Sequence, residues 1–351
     1  MGVLIGRHCD AYDTKRGALG IVAGRFCYGL LRRGGLPGIR VSREAGSLPH
    51  TFGGSRLRAM RMEVNGVRIF FDVEGAKFVP DGPRMREQPT LILLHGGPGM
   101  DHSGYKPAFS RFTDIAQVIY IDHRGNGRSD RQPAAQWTLA QWGDDLFEFC
   151  RALEIEKPVV MGNSFGGFVA IAYATRHPEH PGKLILSSTA AQGQAHVERS
   201  VELFERGGGP EIAAMARHAL TVGYDSPEFT MKWMTEAMPF YNTVAKPDPD
   251  ARARSVMSGK VLMDFLGPGG EGLSFDMLAD LAKVQCPTLV LGGEGDPITP
   301  IESSEDIARA LPRHLVRFER FAGAGHGVFR DDPRGLTASA TGRRAKRYFP
   351  R

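Results

Sequence analysis

The stretch Val159-Val160-Met161-Gly162-Asn163-Ser164-Phe165-Gly166-Gly167-Phe168-Val169-Ala170-Ile171-Ala172-Tyr173 decides how the rest of this 351-residue chain is read. Pro158 to Met161 is a brief apolar run with β-branched residues and no polar alternation, which predicts a short, fully buried strand. Phe168 to Tyr173 continues as an apolar helix. Between them, Gly162-Asn163-Ser164-Phe165-Gly166 sets a serine between two glycines at the junction of strand and helix. That is the pattern of a nucleophile elbow, a turn so tight that only glycine avoids collision on either side of the serine. Ser164 is then held at the carboxyl edge of a sheet and the amino end of a helix. Free N–H groups and partial positive charge there suit an oxyanion forming beside the serine. A G-x-S-x-G string also arises by chance in a chain with 44 glycines. What separates this one from chance is its strand-turn-helix context and three further stretches in the right order.

On the amino-terminal side, Met62-Glu63-Val64 and Val67 to Asp72 flank Asn65-Gly66, the dipeptide favoured in two-residue hairpin turns. Thr90 to Leu94 reads as a buried strand running into His95-Gly96-Gly97-Pro98-Gly99. Gln117 to Ile121 reads as another, ending in Asp122-His123-Arg124-Gly125-Asn126-Gly127-Arg128-Ser129-Asp130. Thr138 can cap a helix to Leu153 with Leu139, Trp142, Leu146, Phe149 and Leu153 on one face. On the carboxyl-terminal side, Lys183 to Ser187 gives one more strand before the alternation stops. Residues 189–280 read as mostly helical, with Met215, Met231, Met234, Met238, Met257 and Met263 among polar positions. Most of those methionines are ordinary core filling, but a helical block inserted between strands has the character of a cap, and adaptable side chains suit closure on an apolar substrate. Alternation resumes with a strand over Thr288 to Leu291, a helix over Glu302 to Leu311 and a strand over Leu315 to Phe321. The expected fold is α/β: a mostly parallel central sheet with helices on both faces. Its core runs over residues 62–188 and 281–333, and the cap over 189–280.

The two ends do not share this patterning. Residues 1–61 hold eleven Lys or Arg against three acids and twelve glycines, and residues 334–351 hold six basic residues and no acid. The first segment reads as a targeting peptide, a disordered basic arm, or translation from a start upstream of the native one. The third reading is preferred, because Met60 and Met62 stand directly before the first well-patterned strand. The second segment reads as a basic tail with little of the apolar periodicity that a closing helix needs. Without both, 27 basic residues face 36 acidic ones, so the sequence pI of about 9.1 is a property of the ends and carries no argument for nucleic-acid binding. No run of about 18 apolar residues is present to span a membrane. Cys9, Cys27, Cys150 and Cys286 form no C-x-x-C pair, which points away from zinc and disulfide scaffolds and towards the cytoplasm.

Strand ends along one edge of a parallel sheet are where such folds place their chemistry. Asp296 follows one strand in Gly292-Gly293-Glu294-Gly295-Asp296-Pro297, and His326 follows the last in Ala322-Gly323-Ala324-Gly325-His326-Gly327. His326 is the expected general base for Ser164, with Asp296 holding the imidazole tautomer and stabilising the imidazolium. Glu294 ranks behind Asp296, whose carboxylate precedes a proline and is left free to reach across the strand ends. His314 reads as a solvated turn residue, Asp122 as a brace for its own loop through Arg124 or Arg128, and His95 as a brace for the glycine loop. The oxyanion donors are expected at the N–H groups of Gly97 and Phe165.

The combination of His95-Gly96-Gly97-Pro98-Gly99, the Asp122 to Asp130 stretch and Gly162-Asn163-Ser164-Phe165-Gly166-Gly167 resembles α/β-hydrolases of the proline iminopeptidase type over roughly residues 62–333. The resemblance implies Ser164, Asp296 and His326 as catalytic residues, Gly97 and Phe165 as oxyanion donors, and no metal or organic cofactor. It implies a small-molecule ester or short peptide as substrate. The peptidases usually carry Trp or Tyr where Phe165 stands, Gly or Ser where Asn163 stands, and cap carboxylates that hold the substrate's amine. After Met257-Ser258-Gly259-Lys260, where an acid is expected within a few residues, this chain has Val261-Leu262-Met263 before Asp264. A desolvated, unpaired ammonium costs several kcal/mol by rough estimate, so ester hydrolysis is the favoured expectation and prolyl aminopeptidase the alternative. Glu205, Asp225, Glu228 and Glu236 are the possible substitutes within the cap. A lactone hydrolase or a non-catalytic ligand-binding member of the fold is a second alternative.

Overall fold

The computed structural model describes residues 60–243 and 249–341. The preferred reading of residues 1–61 as a non-native extension therefore lies outside the described residues, apart from Met60 and Arg61. Strands β1 (Arg61–Val64) and β2 (Val67–Glu74) form the opening hairpin, with Val64 paired to Val67. Asn65 and Gly66 both adopt left-handed φ, 47° and 74°, as a tight two-residue turn between right-twisting strands requires. A separate small hairpin, β3 (Phe78–Asp81) and β4 (Arg84–Glu87), follows. Next come β5 (Thr90–Leu94), β6 (Gln117–Ile121), α1 (Leu139–Ala152), β7 (Val159–Asn163), α2 (Phe165–Arg176) and β8 (Lys183–Ser187). An insertion carries α3 (Val197–Thr221), α4 (Pro227–Lys232), α5 (Pro249–Arg254) and α6 (Gly259–Leu266). The chain then returns through β9 (Thr288–Gly293), α7 (Ile301–Ala310), β10 (Val316–Phe321), α8 (Val328–Asp331) and α9 (Pro333–Thr341).

The main sheet has eight strands in the order β1-β2-β6-β5-β7-β8-β9-β10. The β1–β2 and β2–β6 pairs are antiparallel and all the others parallel. The central strands read as unbroken apolar runs because both faces are covered. In β5, Ile92 and Leu94 face a cluster that includes Trp142 and Phe149 of α1 and Val169 and Tyr173 of α2. Leu91 and Leu93, half a pleat away, face the opposite cluster with Phe109, Phe329 and Leu336. The insertion has an apolar core of its own, built from Phe204, Ile212, Met215, Tyr224 and Trp233. Within α3, Gly209 at φ 78° followed by Pro210 breaks the helix into two pieces.

One expectation is corrected at the carboxyl-terminal end. The basic tail begins with a helix, α9, whose Leu336 and Ala340 are buried beside Phe321, Val328 and Phe329. Two apolar residues four apart, among Thr, Ser and Ala, are enough to seat a short helix against an existing core, though too few to register as a periodic pattern. Residues 342–351 lie outside the described residues.

Candidate active site

Ser164 follows the last residue of β7 and precedes α2, with φ 55° and ψ −126°. For a residue with a Cβ this is a strained backbone state that costs about 1–3 kcal/mol and persists only where its surroundings enforce it. The enforcement is visible in the packing. A Cβ on Gly162 would stand 2.2 Å from the Gly166 carbonyl oxygen, and one on Gly166 would stand 1.9 Å from that of Leu94. The turn is thus pressed against the end of β5. Ser164 N–H donates to the carbonyls of Ser187 (3.1 Å) and Ser188 (2.9 Å), while Ser188 N–H donates to Leu291 O (2.9 Å). These bonds tie the elbow to the ends of β8 and β9, the strand that leads to Asp296.

Asp296 is fully buried, and its carboxylate accepts from Ile298 N–H (2.9 Å), Thr299 N–H (3.0 Å) and Thr299 Oγ1 (2.8 Å). His326 Nδ1 lies 2.9 and 3.0 Å from its two oxygens. A carboxylate only accepts, so Nδ1 carries the proton and Nε2 keeps a lone pair, the tautomer a general base needs. Glu294 is exposed beside Arg320, and His314 is exposed in the turn before β10. Ser164 and His326 are both buried at the carboxyl edge of the sheet, and no hydrogen bond joins Ser164 Oγ to His326 in this structure. Hydrogen bonds between reacting side chains are often long in ligand-free sites and tighten only around a ligand.

The glycine loop lies over the elbow. A Cβ on Gly96 would be 3.4 Å from Ser164 Cβ. Among the described residues, neither the Gly97 N–H nor the Phe165 N–H donates to another group. His95 braces this loop: its Nδ1 donates to Gly96 O (2.7 Å) and its Nε2 accepts from His123 N–H (3.2 Å). Burial pushes the His95 imidazole below its ordinary range, against the opposing pull of Asp122, and pushes that of His123 well below it.

Asp122 braces its own loop through Arg128, one of the two partners expected for it. Asp122 Oδ2 does accept from Arg128 N–H (2.8 Å), but Arg124 turns away to a buried pair with Asp145 (2.6 and 2.7 Å). The partner that sequence reasoning missed is His102, whose backbone N–H (2.9 Å) and Nδ1 (2.7 Å) both reach Asp122 Oδ1. Burial alone raises this carboxyl; the bonds from His102 and from Arg128 N–H outweigh it, so the group sits below its ordinary range. Asp101 was also missed. It accepts from Ser103, Arg128 and the N–H of Val256, and Ser258 N–H donates to Gly99 O (2.7 Å), so the insertion grips the glycine loop directly. Asp101 and His102 stand in the seven residues after His95, but nothing in their spacing names their partners.

The five cap carboxylates singled out from the sequence point outward, whereas Glu271 is half-buried and accepts from Leu139 N–H (2.9 Å). Asp264 pairs with Lys260 (2.6 Å), Asp225 with His218 (3.0 Å) and Glu236 with Lys232 (3.8 Å), while Glu205 and Glu228 are exposed. Among the described residues no cluster of three or more His, Cys, Asp or Glu side chains could hold a metal ion, and no helix is long and apolar enough to cross a membrane.

Comparison with known proteins places residues 89–333 within a family model described as alpha/beta hydrolase fold. Among curated relatives, a putative carbamate hydrolase, RutD, of Caulobacter sp. (strain K31) is 26% identical over 261 residues, covering 71% of this chain and 88% of its own. A proline iminopeptidase, PfmaB, of Pestalotiopsis fici is 29% identical over 259 residues, covering 71% and 87%. Among solved structures, a thermophilic esterase from Thermogutta terrifontis superposes with a TM-score of 0.57 at 25% identity, covering 83% of this chain and 100% of that one.

Proposed function

The chain belongs to the α/β-hydrolase fold family, and from that premise we propose that it is a serine hydrolase acting on carboxylic esters of small to medium, fairly apolar molecules. The observation that carries the reading is the buried Asp296–His326 pair, with its tautomer set for a base, at the sheet edge that also presents the strained Ser164. In the reaction, His326 Nε2 takes the Ser164 hydroxyl proton as Oγ attacks the ester carbonyl carbon. The carbonyl oxygen receives the electron pair and is held by the N–H groups of Gly97 and Phe165. Collapse breaks the bond to the leaving alkoxide, which takes the proton back from the imidazolium. Water repeats the sequence on the acyl-enzyme and releases the carboxylic acid. Asp296 keeps the imidazole oriented throughout.

The choice of ester over peptide rests on the outward-facing cap carboxylates. An aminopeptidase must pair the substrate's ammonium in the site, and each cap acid considered for that role is exposed or engaged with a surface base. An ester needs no such partner. Prolyl aminopeptidase is the second reading, favoured by the likeness to the Pestalotiopsis fici protein. A short-chain p-nitrophenyl ester and a prolyl arylamide, each assayed on the protein and on Ser164→Ala, decide between them. Ester turnover that falls by about 10⁶-fold in kcat without Ser164, with no arylamide cleavage, is the expected result. Efficient arylamide cleavage assigns the aminopeptidase instead, and ester turnover that survives Ser164→Ala overturns the serine mechanism.

A further inference from the structure

The loop that carries His326 is clamped from outside the core. His326 N–H donates to the backbone carbonyl of Tyr241 (2.6 Å), and the Tyr241 ring meets the imidazole edge-on with centroids 5.3 Å apart. Tyr241 belongs to the insertion: Trp233 Nε1 donates to its hydroxyl (2.7 Å), and Phe204 and Trp233 pack against its ring. The residues after it hold the same loop. Thr243 Oγ1 donates to Gly323 O, and the Asp331 carboxylate accepts from both Thr243 N–H (3.1 Å) and Gly325 N–H (2.8 Å). The glycines that flank the histidine follow from this contact. A Cβ on Gly325 would stand 2.2 Å from Tyr241 O, and one on Gly327 would stand 2.5 Å from Asn242 Oδ1.

Both Asp296 oxygens, with Thr299 Oγ1 at 3.4 Å, hold one ring nitrogen of His326, but contacts at Nδ1 alone do not fix the backbone or the far edge of the ring. Two further restraints, one on the backbone N–H and one on the ring itself, complete its orientation, and both come from Tyr241. We infer that Tyr241 is a positioning residue for the general base, so that the base is aimed at Ser164 only while the helical insertion is seated. The inference rests on the serine hydrolase reading. It makes the insertion part of the catalytic machinery as well as a cover for substrate. Displacing the segment at Tyr241 lowers the rate of attack by Ser164 and leaves apolar substrate contacts in place.

An alkyl fluorophosphonate reads that attack without regard to acyl specificity. Ser164 Oγ forms a bond to phosphorus, fluoride leaves, and His326 takes the hydroxyl proton. Labelling rates and ester kcat and KM are measured for the full chain, Tyr241→Phe, Tyr241→Leu and His326→Gln. The expected result is that Tyr241→Leu labels at least tenfold more slowly and loses kcat with KM changed less than threefold. Tyr241→Phe, which keeps both the carbonyl and the ring, stays within threefold of the parent, and His326→Gln is nearly inert. Should Tyr241→Leu fail to fold, Gly325→Ala carries the same test by pushing Tyr241 O off the loop while leaving the apolar core of the insertion intact, with the same fall expected. Parent-like labelling by a folded Tyr241→Leu or Gly325→Ala overturns the inference, as does a loss that appears in KM alone. Parent-like labelling by His326→Gln overturns the hydrolase reading itself.

Discussion

At the scale of single residues, the site depends on groups whose hydrogen bonds leave them one state. Asp296 accepts four bonds and can donate none, so His326 Nδ1 must be the protonated nitrogen. In Asp296→Asn the oxygen stays with the Ile298 and Thr299 N–H groups, and the new NH₂ turns to His326. The imidazole then takes the other tautomer, and Nε2 can no longer accept the serine proton. kcat is expected to fall by about 10³–10⁴-fold with KM nearly unchanged, measured by steady-state ester hydrolysis at neutral pH; a loss under tenfold removes Asp296 from the proposed triad. Residues of this kind were legible because chain order and position after a strand suffice to nominate them. Tyr241, Asp101 and His102 were not, because each acts through a partner brought near only by tertiary folding: Tyr241 meets a loop eighty-five positions away in the chain.

At the scale of elements, the strand-turn-helix around Ser164 was readable since its requirements are local: an apolar β-branched run, glycines at the close approaches, an apolar helix. Gly166 shows how little latitude that leaves. Its missing Cβ would fall 1.9 Å from Leu94 O and 2.8 Å from His95 O, both backbone atoms of the strand end that carries the glycine loop. Neither can rotate aside. Gly166→Ala is expected to destabilise the fold by about 3 kcal/mol or more, seen as a lower urea midpoint with an unchanged slope. Gly259→Ala is the control: a Cβ there meets nothing within 4 Å at the start of α6, and it is expected to be neutral or up to about 1 kcal/mol stabilising. Equal midpoints for the two variants would show that the elbow relaxes more easily than its packing indicates. The β3–β4 hairpin and α9 escaped sequence reading for the opposite reason. The hairpin is almost wholly exposed and lacks an alternating face, and α9 leans on a core built by distant strands.

At the scale of the whole molecule, the sheet edge that carries the chemistry also buries two imidazoles that must stay neutral. His95 Nε2 accepts from His123 N–H, so a proton there would face a donor, and His123 Nε2 is buried with no partner among the described residues. The rings lie 4.5 Å apart, so charging either one disfavours charging the other. Both folded-state values are held below the ordinary 6.5 by burial. The sign of the effect follows from proton uptake. Above pH 6.5 both folded and unfolded chains keep these histidines neutral and no stability is lost. As pH falls below 6.5 the unfolded chain binds protons that the folded one refuses, and stability declines until the depressed folded values are reached. Stability at pH 5.5 is therefore below that at pH 7, and each of the two histidines contributes to the fall. Carboxylates held low by their partners, such as Asp122 and Asp144, respond only at more acid pH, while the half-buried His180, also held low by burial, adds to the decline and Glu271, held high by burial, opposes it. Urea unfolding at the two pH values measures the decline in the parent chain, and His123→Leu should show a smaller one whatever its own stability at pH 7. A variant whose decline equals the parent's would mean that His123 takes up its proton in the fold as readily as in the unfolded chain, and that the brace between the glycine loop and β6 is built differently from the one described.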